Sequence, residues 1–158
     1  GGLRGRLMSY FEEEGNRDYM LERPESFASE DNLLIRIREL DGPIMQAGET
    51  RNLDLLPSLW QLRRTHDKHS LRPAILHKGQ PEKLRLSEGT TVAVPWRWTV
   101  EGERSVTVWV GAEYPRRILA WRSSDGGSGE MLTSVREPYW GLHSNADEAL
   151  RRRLQLPW

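Results

Sequence analysis

Thr91-Val92-Ala93-Val94-Pro95-Trp96-Arg97-Trp98-Thr99-Val100 is the stretch that decides the fold. Val92, Val94, Trp96, Trp98 and Val100 recur at every second position, the spacing at which a strand returns to one face. Pro95 has no N–H to give to a neighbouring strand, so it points to an edge position or a bulge. Glu101-Gly102-Glu103 then turns the chain, and Ser105–Val110 resumes the alternation with Val106, Val108 and Val110. Tyr114-Pro115 breaks the pattern, Ile118–Arg122 takes it up again, and Ser123–Gly129 is a turn-rich loop before Glu130–Val135. Four β segments joined by short turns read as one antiparallel meander over residues 91–135.

Outward from this region the signals weaken. Towards the C-terminus, Asn145 is a suitable N-cap and Glu148, three residues on, suggests a capping box. Asp147 and Glu148 in the first turn and Arg151, Arg152 and Arg153 in the last suit the helix dipole. Leu150 and Leu154, four apart, would dock on the sheet, and Pro157 ends the helix. Towards the N-terminus, Leu3, Leu7, Tyr10 and Phe11 carry a helical stripe that Gly15 stops, so Leu3–Glu14 is predicted helical. Residues 15–31 read as a polar loop. Leu33–Arg38 alternates Leu33, Ile35 and Ile37 with Arg36 and Arg38 and is predicted to be a strand. Asp41-Gly42 would turn it into a return strand over Pro43–Gln46. Leu55, Leu56, Leu59, Trp60 and Leu62 suggest a helix starting close to Pro57, which is tolerated only in a first turn. Ala74–Leu76 and Leu84–Leu86 are short strand candidates.

The expected fold is therefore α+β: a curved antiparallel β-sheet, a meander with barrel-like closure as its extreme, packed by an N-terminal and a C-terminal helix. Residues 1–158 are expected to form a single domain. It comprises a helical and loop segment over 1–31, a mainly β body over 32–136 and a C-terminal helix over 144–155.

Composition narrows the function classes. The 158 residues carry 23 basic and 23 acidic groups, a net charge of zero, which weighs against a dedicated nucleic-acid binder. No stretch approaches the roughly 18 apolar residues of a membrane-spanning helix. Seven Trp argue against disorder, and the lack of Cys removes disulfides, thiolate metal sites and cysteine nucleophiles. Only Lys68, Lys78 and Lys83 among the basic residues are Lys, a bias that fits a GC-rich, bacterial-type genome as well as anion binding by Arg. The chain starts Gly1-Gly2-Leu3 without Met, which suggests that a segment once preceded it; a periplasmic or secreted origin is one expectation.

Three constellations carry chemistry. Trp96 and Trp98 share a strand face, and with Trp121 and the loop aromatics Tyr139 and Trp140 they are the candidate ligand-binding residues for an apolar ligand or a protein partner. The same rings would equally fill a core. The loop Arg136–His143 reads as a lid or an anchor. His66, His69 and His143 with nearby carboxylates suggest a hydrolase-type or metal-assisted enzyme, but three or four ligands of defined spacing are lacking and no HExxH pattern exists. Arg97, Arg116, Arg117 and Arg122, interleaved with Trp, fit single-stranded nucleic acid, as would any half-exposed strand of an Arg-rich chain. No motif assigns a cofactor, a metal or a catalytic group. The leading expectation is a non-catalytic binding domain that uses the aromatic face of its sheet.

Overall fold

Among the described residues, alternating apolar and polar side chains draw the chain into ten strands, which form two sheets. The computed structural model describes residues 2–8, 15–65 and 67–154. In chain order the elements are β1 (Gly2–Leu7), β2 (Arg17–Glu22), β3 (Phe27–Ser29), α1 (Glu30–Arg36), β4 (Thr50–Leu56), α2 (Leu59–Thr65), β5 (Arg72–Lys78) and β6 (Glu82–Leu86). There follow β7 (Gly89–Val100), β8 (Ser105–Gly111), β9 (Ile118–Ser123), β10 (Ser128–Glu130) and two 3₁₀ helices, Tyr139–Gly141 and Asn145–Leu154. β1 and β2 form a two-stranded antiparallel sheet. The larger sheet runs β10-β9-β8-β7-β5-β4-β3, with β6 paired to the far end of β7. Only the β3–β4 pair is parallel. β3 and β10 lie at opposite ends of this order, so the sheet is open and does not close into a barrel.

The meander β7-β8-β9-β10 runs as the alternation predicts. Its last strand is Ser128–Glu130, within the turn-rich stretch, rather than Glu130–Val135. Pro95 lies opposite Trp109 on β8, and on the other side of β7 the neighbour changes from β5 to β6 near it: Trp96 pairs with Lys78 and Ala93 with Glu82.

Several expectations are corrected. Leu3–Leu7 lies in strand β1, not a helix: Leu3, Gly5 and Leu7 alternate with Arg4 and Arg6, and all pair with β2. A Cβ at Gly5 would fall 2.0 Å from the Tyr19 ring, so the bare Gly5 leaves room for that ring over β1. Tyr10, Phe11 and the rest of that predicted helix lie outside the described residues. Leu33–Arg38 is helical to Arg36, not a strand, because Leu33 and Ile37, four apart, are the buried pair, while Ile35 is 67% exposed. Glu30 and Asp31 in the first turn suit the dipole of α1. Pro43–Gln46 is irregular and supplies Ile44 and Met45 to the core. The C-terminal helix is 3₁₀ over Asn145–Leu154 and buries no residue, so Leu150 and Leu154 are only half-buried. Its cap sits one residue earlier than predicted: Asp147 accepts from both the N–H and the hydroxyl of Ser144. Pro157 is outside the described residues. α2 starts at Leu59, two residues after Pro57, with the Ser58 hydroxyl accepting from the Gln61 N–H.

The core lies on one face of the large sheet, under α1 and the 43–46 segment. Pairing aligns Lys78, Trp96, Val108 and Trp121 in one row and Leu76, Trp98, Val106 and Ser123 in the next. Trp96 and Trp98 are 1% and 2% exposed and pack with Leu33, Ile37, Met45 and Leu55. A buried Trp removes about 150–250 Å² from water, which at ~25 cal/mol per Å² contributes roughly 4–6 kcal/mol each before the entropy of ordering is subtracted.

Candidate functional site

α1 is held to the sheet by a carboxylate at each end. Glu30, at its start, is buried and accepts from the Trp98 Nε1–H at 2.8 Å and the Arg104 guanidinium at 2.5 and 2.6 Å. It also accepts from the Ser58 N–H, and Asp31 accepts from the Leu59 N–H, so α1 supplies acceptors for the donors at the start of α2. Glu39, just past the end of α1, takes two bonds from the Lys78 ammonium at 2.7 and 2.8 Å and one each from the Ile44 and Met45 N–H. Burial alone would raise the Glu39 carboxyl; the Lys78 hydrogen bond, the two backbone donors and the Lys78 charge outweigh it and hold the group below the usual carboxylate range. Lys78 also donates to the Met45 carbonyl and lies over the Trp96 ring, 5.1 Å from its centroid. Glu39 has a left-handed φ of 47°, and Arg116, with φ 51°, donates to its carbonyl. Both buried acids are saturated by donors. They set the position of a helix.

The predicted site residues therefore separate. Trp96 and Trp98 lie in the core under α1. Trp121 is on the same face but two strands out, beyond the cover of α1, and is 41% exposed. Its indole rests on the Gly-rich hairpin: a Cβ at Gly129 would fall 2.4 Å from Nε1, and one at Gly127 3.1 Å from the ring. Tyr139 and Trp140 are 77% and 76% exposed and pack edge to face, ring centroids 5.5 Å apart.

The His set is dispersed. His69 stacks on Tyr19 at 4.4 Å and so ties the β1–β2 sheet to the segment after α2. His77 bonds the Thr50 hydroxyl at 2.9 Å, His143 is exposed, and His66 is outside the described residues. Among the described residues no group of three metal-capable side chains converges. Of the four Arg, Arg116 is taken up by Glu39 and Arg117 is exposed beside it. Arg97 and Arg122 are brought into one row, on either side of Thr107. Two surface clefts, one lined by Arg6, Met8, Asn16, Arg17 and Asp18 and the other by Glu22, Arg23, Pro24, Asp54 and Leu71, touch none of the tryptophans. Among the described residues no helix is long and apolar enough to cross a membrane.

Sequence reasoning missed Glu30, Glu39 and Lys78, because each finds its partner far along the chain. It also passed over Trp109, whose Nε1–H donates to Glu82 at 2.8 Å. The only signal for Trp109 is its phase, opposite to Val108. Comparison with protein-family models, with curated proteins and with solved structures finds no match to this chain.

Proposed function

We propose that the chain is one non-catalytic binding domain and that it engages a protein partner through its exposed aromatics, Trp121, Tyr139 and Trp140. Trp96 and Trp98, the other two members of the aromatic set, serve this reading as the rigid support beneath the surface, with any curvature of the sheet presenting Trp121 at its rim. The observation that carries it is the Tyr139–Trp140 pair: two adjacent large rings, three-quarters exposed and packed on each other. Scattered exposed apolar residues are ordinary, but paired Trp and Tyr are the residue types that dominate interface energies. An apolar small ligand is the weaker form of the reading, since it would need a hollow beside Trp96 and Trp98, where α1 and Met45 are packed instead.

Site-directed photo-crosslinking tests it. A photoreactive residue in place of Tyr139, in the full chain irradiated inside cells of the source organism, should give one discrete protein adduct. Trp140→Ala in the same chain should weaken that adduct by about tenfold, the loss of a single hot-spot ring. Adducts spread over many proteins and indifferent to Trp140→Ala, or none at all, would overturn the reading.

A further inference from the structure

On the face of the large sheet opposite α1, Thr50, Arg97 and Arg122 are exposed, and register places an unusual row across it. Thr50 pairs with His77, His77 with Arg97, Arg97 with Thr107, Thr107 with Arg122, and Arg122 with Ser128. These six residues on six strands form a stripe of cations, hydroxyls and an imidazole with no carboxylate in it. Arg97 and Arg122 are exposed and make no ion pair among the described residues; the one contact of Arg97 is the Ser105 hydroxyl at 3.4 Å. Two strand spacings of ~4.8 Å set their backbones about 10 Å apart.

One row away lies Trp109, flanked by Pro95 and Ala120. Its Nε1–H reaches Glu82 on β6, and β7 lies between them. The indole must therefore cross β7 over Ala93, which is 0% exposed. Trp109 is half-buried, so part of its ring stays open to solvent. Two carboxylates on this side are engaged: Glu82 holds Trp109, and Glu130 accepts from the Ser87 hydroxyl and N–H. Asp54 lies two strands beyond Arg97, on β4.

We propose that this face binds a single-stranded nucleic-acid segment, a base stacking on Trp109 while neighbouring phosphates lie on Arg97 and Arg122. A flat aromatic next to guanidiniums is the combination that holds single strands without reading their sequence: rings stack bases and Arg tracks the backbone. Arg supplies planar, bidentate contact to phosphate, with the Thr107 hydroxyl between the two as a further donor. An acidic peptide would use the Arg pair and leave the Trp109 platform idle; a neutral glycan would use the platform and leave the cations idle. The single strand uses both. Trp121 lies on the opposite face of the sheet, and the proposal does not rest on the protein-partner reading.

The test uses the full chain and a labelled single-stranded oligonucleotide of about ten nucleotides. Binding should quench Trp fluorescence, and its salt dependence should report two neutralised phosphates, a log–log slope of about −1.4. Arg97→Gln and Arg122→Gln should each bring that slope to about −0.7. Trp109→Leu should weaken binding roughly tenfold at every salt concentration and leave the slope alone. Thermal melts identify any variant that has lost its fold, and Trp109→Phe, which keeps a ring face, should retain most of the affinity. No binding at low salt, or a slope unmoved by both Arg variants, overturns the proposal. So does equal affinity for polyglutamate or a sulfated glycan, which would mark a general anion surface.

Discussion

At the scale of single residues, Glu30 illustrates how a buried carboxylate is made tolerable. It accepts from an indole, a guanidinium and a backbone N–H, so every donor around it is used and its charge is paired. Removing it would strand Arg104 in a site where that side chain is only 13% exposed. Breaking a buried pair by deleting one partner costs about 3–5 kcal/mol, because the other charge is left uncompensated. Glu30→Ala should therefore lower the unfolding free energy by that amount. Trp98→Ala should do the same by leaving a cavity, again about 3–5 kcal/mol. Trp98→Phe keeps most of the ring and loses the bond to a charged acceptor, about 1.5–3 kcal/mol. Urea titration of the three variants checks the order; a Glu30→Ala midpoint equal to the parent's would show that the pair contributes nothing. Since a domain has only about 5–15 kcal/mol in all, either Ala variant takes a large share of it. That Trp96 and Trp98 share a buried face was legible in the sequence, because period two is a local property. The Glu30–Arg104 bond was not, since its partners are 74 positions apart.

Elements show why the same residues can read two ways. Leu33-Leu34-Ile35-Ile37 satisfies both a strand, through 33, 35 and 37, and a helix, through 33 and 37. What decides is the burial available: α1 needs only Leu33 and Ile37 against Trp96 and Trp98, and Glu30 and Glu39 fasten its two ends. The left-handed Glu39 closes the helix without Gly, a conformation unfavourable for such a side chain unless tertiary bonds hold it. Lys78 supplies them, and the pH dependence follows. The folded Glu39 pKa lies below its ordinary 4.5, so its ionised form stabilises the fold above about pH 4.5. That stabilisation is lost as pH falls from there through the depressed value. Glu39→Gln should accordingly be less stable than the parent at pH 7 and converge on it as pH falls through the depressed value. Unfolding free energies measured from pH 7 to pH 3 give the difference curve, and a gap that stays constant with pH would refute the role of the ion pair.

Over the whole molecule, burial is one-sided. One face of the large sheet carries the core and is closed by α1; the other carries Thr50, Arg97 and Arg122 exposed, with His77 and Thr107 half-buried between them. The α+β class and the antiparallel meander were legible because each strand declares its own alternation. The sheet order was not, because β3 and β4 pair with strands that no turn residue connects to them, and β6 leaves β5 at Gly79 to follow β7 instead. Gly79 is needed there, as a Cβ would fall 2.6 Å from the Pro95 ring. A candidate surface assembled from β4, β5, β7, β8 and β9 is correspondingly invisible until the register is known.

The same one-sidedness predicts how the molecule comes apart. Residues 131–154 contribute no strand, and neither of their 3₁₀ helices buries a residue. Their bonds are mostly internal, Ser144 with Asp147 and Arg153 with Glu137. Segments with few buried apolar contacts open at a small fraction of the global free energy, and cleavage follows the open population when closing is fast. Arg97 and Arg122, by contrast, sit in paired strands whose opening would break the sheet. Trypsin under native conditions should therefore cut after Arg136 and Arg151–Arg153 well before Arg97 or Arg122. Intact-mass spectrometry over a short time course should show a fragment ending at Arg136 accumulate and persist. If Arg97 or Arg122 were cleaved at the same rate as Arg136, the C-terminal region would have to share the stability of the sheet, and its aromatic pair would be anchored far more firmly than its exposure implies.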